Sequence, residues 1–132
     1  MIGHSFRLIC FFIISLHAVL PLAGCGAVIV GGAAAGTVAY IQGDLNSVLE
    51  ASVDRSARAV DAAIKKTGVR QISKSIDNLG AHYSLMTSQD EKVEITLKKA
   101  GKTATEVVIR VGFFGDETLS HQILEEIESA LK

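Results

Sequence analysis

The chain of 132 residues carries 13 Lys and Arg against 14 Asp and Glu, with 12 Gly, one Pro, two Cys and no Trp. That length allows one small domain and excludes a multi-domain enzyme. The near-neutral charge excludes nucleic acid as a partner and a purely electrostatic hold on anionic lipid, because both need clustered Lys and Arg.

Residues 1–24 are predicted to be a secretory signal peptide. A short segment from Met1 to Arg7 has Arg7 as its one charged side chain, and an apolar run from Leu8 to Leu22 follows. The run falls short of the roughly 20 apolar residues that a bilayer span needs, and His17 and Pro21 interrupt it. It ends in Leu22-Ala23-Gly24-Cys25. This tetrapeptide resembles the lipobox of bacterial lipoproteins. The resemblance implies that the Cys25 thiol takes a diacylglyceryl group and that a type II signal peptidase, reading Leu22, Ala23 and Gly24, cuts before Cys25. Two or three acyl chains, at about 0.8 kcal/mol per buried CH₂, hold a protein on a bilayer where a single chain is marginal. A type I signal peptide or an uncleaved anchor, with Cys25 a chance small residue, is the alternative. In such lipoproteins Asp after the lipidated Cys favours the inner membrane. Gly26 stands there instead, which implies the outer membrane with the chain facing the periplasm. With Cys10 in the leader and Cys25 acylated, no thiol remains for a disulfide, a metal or nucleophilic catalysis.

Residues 25–37 read as the lipidated Cys and a Gly/Ala-rich tether. On a helix, Ala27, Gly31, Ala35 and Ala39 would share a face, with Gly32 and Gly36 beside it as a G-x-x-x-G pair. A glycine-zipper helix that inserts in the bilayer and self-associates is therefore an alternative, although the stretch from Gly26 to Ile41 is shorter than a span.

Residues 38–132 are expected to form a small α+β domain. Imperfect alternation from Val38 to Leu49 predicts one long strand bent at Gly43. Val53, Ala57, Val60 and Ile64 recur at helical spacing, with Ser52 or Asp54 to cap the start and Gly68 to stop the helix. Asp54 with Arg58, and Asp61 with Lys65, are expected as ion pairs along its outer face. Four strands follow as two hairpins. Arg70 to Asp77 and Ala81 to Thr87 flank Asp77-Asn78-Leu79-Gly80, and Lys92 to Lys98 and Thr103 to Val111 flank Lys99-Ala100-Gly101-Lys102. Leu119, Ile123, Ile127 and Leu131, joined by Leu124 and Ala130, mark a C-terminal helix with an acidic outer face. The expected fold class is α+β: a two-layer sandwich of a mainly antiparallel five-stranded sheet with two helices on one face, in the order βαββββα.

Tyr40-Ile41-Gln42-Gly43-Asp44-Leu45 and Arg110-Val111-Gly112-Phe113-Phe114-Gly115-Asp116-Glu117 stand out as motifs. With the lipobox and the Gly/Ala-rich stretch, they make the chain resemble a group of short bacterial lipoproteins known only as a domain of unknown function. That resemblance implies a fold and no activity. Read physically, the second motif is a strand-to-helix corner. Gly112 and Gly115 supply unusual backbone angles, Phe113 or Phe114 plugs the edge of the core, and Asp116 caps the helix with Glu117 beside it. The functional alternative is a recognition patch of Arg110, exposed Phe113 and Asp116.

Chemistry-bearing patterns are lacking in the sequence. His82 and His121 have no ligand at metal spacing, and Ser120 and His121 are consecutive on a helix and point about 100° apart. No nucleophile elbow or phosphate loop occurs. The expectation is a non-catalytic interaction or structural module without cofactor or metal. It would be held at the membrane by its lipid anchor, against an envelope protein partner. A carrier with a hydrophobic ligand in a sheet–helix cavity is the second alternative beside the glycine-zipper oligomer.

Overall fold

Alternation of apolar and polar side chains builds the sheet. A computed structural model describes residues 37–132, so the predicted signal peptide, Cys25 and nearly all of the tether lie outside the described residues. The strands are β1 (Ala39–Ile41), β2 (Asp44–Leu49), β3 (Arg70–Ile76), β4 (Gly80–Met86), β5 (Lys92–Lys99) and β6 (Thr105–Val111). Helix α1 (Val53–Thr67) lies between β2 and β3, and α2 (Glu117–Leu131) follows β6. All neighbours are antiparallel, in the spatial order β1-β2-β6-β5-β4-β3.

The expected α+β class with two helices and an antiparallel sheet holds, but the sheet has six strands and the order is ββαββββα. The segment from Val38 to Leu49 is two strands rather than one bent strand. Gln42 and Gly43 both take positive φ, 53° and 92°, the signs that a two-residue type I′ hairpin needs. Ile41 then pairs with Asp44, and β1 folds back on β2. The signal was weak because Gln, unlike Asn or Asp, is not a residue that favours this turn.

One face of the sheet is apolar. Leu45 and Leu49, Ala81, Tyr83 and Leu85, Val93, Ile95 and Leu97, and Val107, Ile109 and Val111 all point from it into the core. Registers such as Leu45↔Ile109↔Ile95↔Tyr83 align them in rows across the strands. Both helices cover this face and pack on each other. Ser52 caps α1 by accepting from Arg55 N, and Gly68 ends it at φ 70°. Buried Ala57, Ala59 and Ala63 keep α1 thin on the side it shows to its neighbours. In α2 Ile123, Leu124 and Ile127 are buried, whereas Leu119 and Leu131 are half-buried and Ala130, expected in the stripe, is exposed. Asp61 pairs with Lys74 of β3 at 2.6 Å rather than with Lys65 of its own helix. The Lys74 ammonium also lies 5.2 Å from the centre of the Tyr83 ring, while the Tyr83 hydroxyl donates to Ala57 O. These groups close the core where β3 extends beyond the helices.

Candidate functional site

The two glycine-bearing motifs meet in space. The β1–β2 turn presents Gly43 to the corner between β6 and α2, and the contact is backbone against backbone. A Cβ on Gly43 would sit 2.6 Å from Phe114 O and 3.3 Å from Arg110 Nη1. A Cβ on Gly115 would overlap Gly43 and the Tyr40 hydroxyl. The corner itself turns through Gly112 at φ 68° and Gly115 at φ 89°. It ends at Asp116, whose Oδ1 accepts from Leu119 N at 2.9 Å and so caps α2.

Arg110 ties the turn and the corner together. Its Nη1 donates to Asp44 Oδ1 at 2.7 Å and to Gln42 O at 3.2 Å, and its Nη2 donates to Phe113 O at 2.8 Å. The planar guanidinium spreads its donors over two nitrogens in a fixed fork, which suits acceptors on both sides better than the single nitrogen of a lysine would. Asp44 and Arg110 are directly opposed across β2 and β6, on the polar face of the sheet.

The clamp displays two rings. Phe113 is 83% exposed and Phe114 86%, with ring centroids 5.0 Å apart and planes at 87°, an edge-to-face pair. The expectation that one of them plugs the core edge is overturned. Backbone of the β1–β2 turn already occupies that place, so both rings are turned out to water. Ile41, the last residue of β1 before the turn, is 59% exposed as well.

Of the residues singled out in the sequence, Arg110 and Phe113 come together, but through the Phe113 carbonyl rather than the ring. Asp116 spends its carboxylate on the helix cap. Arg110 and Asp116 thus position the corner, and the rings are what it presents. Gln42, Gly43, Asp44 and Phe114 were missed as members of the site. The available signal was the opposite charge of Asp44 and Arg110, each on the polar side of its strand within a glycine motif. The lipidation residues Leu22, Ala23, Gly24 and Cys25 lie outside the described residues.

Elsewhere several exposed polar groups pair with one another. His82 Nδ1 lies 3.1 Å from Thr96 Oγ1, and Glu94 pairs with Lys92 at 2.7 Å on the open sheet face. Ser120 is buried while His121 faces Glu117 at 4.0 Å, so the two diverge as consecutive helical residues do. Among the described residues no group of three His, Cys, Asp or Glu is placed to hold a metal, and no helix is long and apolar enough to cross a membrane. An open cleft of about 480 Å³ lies between the end of β2 and the end of α2, lined by Val48, Leu49, Arg55 and Leu131. Arg55 bridges it by donating to Leu131 O at 2.5 Å.

A family model described as a protein of unknown function, DUF3568, matches residues 7–130. No curated protein matches the chain.

Proposed function

Because the chain belongs to the DUF3568 family, whose description assigns no activity, we propose its role from its own residues: a lipid-anchored envelope protein acting as a non-catalytic interaction module. Cys25 carries the lipid, and Leu22, Ala23 and Gly24 are read by the signal peptidase. Gly26 directs the protein to the outer membrane, facing the periplasm.

The observation that carries the reading is the rigid display of Phe113 and Phe114. Two aromatic rings left in water gain nothing for the fold, and a corner fixed by Arg110, Asp116 and two close-packed glycines keeps them there. Exposed apolar groups on a pre-ordered frame are the mark of a contact surface, since little conformational entropy is lost on binding. Arg110 and Asp116 act as positioning residues, and Phe113 with Phe114 makes the contact.

The intact mass of the N-terminal peptide from membrane-extracted protein tests the anchor. Wild type is expected to yield a peptide beginning at acylated Cys25, and Cys25→Ala to retain residues 1–24. An unmodified wild-type peptide would overturn it.

A further inference from the structure

We infer that the Phe113–Phe114 corner docks on the surface of the bilayer that holds the anchor, and so fixes how the protein stands on its membrane. This rests on the lipid-anchored reading. Three observations point to lipid as the occupant.

The first is where the chain leaves the described part. Residues 26–37 separate Cys25 from Val38 and reach at most about 45 Å, at roughly 3.3–3.6 Å per residue. The chain enters at β1, only three residues long, or about 10 Å. At the far end of β1 is the turn that touches Phe114 O. The anchor therefore delivers the chain to the strand whose far turn touches the corner.

The second is the placement of exposed apolar side chains. Val38 and Ile41 of the β1 segment, 41% and 59% exposed, and Phe113 and Phe114 beyond the end of β6, 83% and 86% exposed, all lie on the β1 half of the sheet, where the corner touches the β1–β2 turn. The others described, Ile72, Ile76 and Leu79, belong to β3 and its turn at the opposite edge, where Lys74 stands among them.

The third is affinity. Burying one Phe ring favours the buried state about ten- to a hundredfold, so two rings alone would give a free domain only about millimolar binding. A short tether supplies an effective concentration of that same order, so a contact too weak to recruit the protein is strong enough to orient it. Of the charges near the corner, Glu91, Asp116 and Glu117 are acidic, Lys92 is paired with Glu94, and the Arg110 charge is matched by Asp44. The surface therefore suits zwitterionic lipid, and its docking does not depend on salt.

The chain has no Trp, so a single introduced indole reports without background. Full-length acylated protein carrying Phe114→Trp is reconstituted in phosphatidylcholine vesicles with brominated acyl chains, beside a Leu79→Trp control at the opposite edge. Both positions are exposed, and thermal melts check that the fold is kept. The expected result is blue-shifted Phe114→Trp emission, quenched by roughly half or more, the docked fraction that a millimolar effective concentration gives. Leu79→Trp stays in water and unquenched. Unquenched, water-like Phe114→Trp emission from protein that floats with the vesicles would overturn the docking and leave the anchor standing. Blue-shifted emission without quenching would overturn it in favour of a second copy of the chain on the corner. Protein that does not float with the vesicles would defeat the anchor itself, and the inference with it.

Discussion

Gly112 and Gly115 stand three residues apart in one corner and are required for different reasons. Both have positive φ, but a Cβ on Gly112 meets only Glu91 Oε1 at 3.9 Å, whereas one on Gly115 runs into Gly43 and the Tyr40 hydroxyl. Gly112→Ala is therefore expected to lose about 1–2 kcal/mol, the left-handed backbone cost. Gly115→Ala adds an overlap that only a shift of the hairpin relieves, for a total of about 3 kcal/mol or more. Denaturant midpoints of the two variants check this, and equal losses would mean that the hairpin does not press on the corner. Tyr83 gives a pH prediction. Burial, reinforced by the negative charge of Asp61, pushes the phenol well above its usual range. The folded state thus holds the proton more tightly than the unfolded chain. That stabilisation is complete below the unfolded value of about 10 and is lost as pH rises beyond it. Tyr83→Phe removes the bond to Ala57 O and costs about 1 kcal/mol at neutral pH. The gap between wild type and variant is expected to close above about pH 10, as followed by denaturant midpoints. A gap that stays constant would show that the ionised ring is tolerated.

Among the elements, local signals carried the helices and the two long hairpins. Ser52 and Gly68 bound α1 as their chemistry requires, and Asp77 Oδ1 accepts from Leu79 N and Gly80 N in the turn expected there. Strand β3 differs from the rest because all seven of its residues are exposed and it pairs on one side only. A register shift between Gln71 and Ser73, with Lys74 just beyond it, spoils this edge as a template for another chain. Strands β5 and β6 are paired on both sides and carry six fully buried apolar side chains and the buried Thr105. Amide hydrogen exchange is expected to be fast in β3, through local opening, and slowest in β5 and β6, through global unfolding. Equal protection of β3 and β5 would indicate a partner on the open edge. Strand β1 was illegible as an element. It is three residues long, and its existence rests on the positive φ of Gln42, which no periodicity announces.

For the whole molecule, the sheet order sets two ends apart. β1, where the chain enters, forms one edge beside the Phe113–Phe114 corner, and β3 forms the other. The docking proposed for the corner leaves the β3 edge free for another contact. The helices are joined across their surfaces by Lys66 and Glu126 at 3.2 Å, an exposed pair worth little to stability, so the packing of the helices on the sheet holds this arrangement. Periodicity and caps within a few residues specify the α+β class, both helices and the strand pairs around Asp77 and Lys99. The sequence also singled out both glycine motifs, but not that they touch. The sixth strand, the outward turn of Phe113 and Phe114, and the role of Arg110 come instead from contacts between distant parts of the chain. The partners of Arg110 include Asp44 and Gln42, 66 and 68 residues earlier in the chain. Whether a ring lies in the core or in water depends on which distant backbone has taken its place, and local patterns hold no record of that.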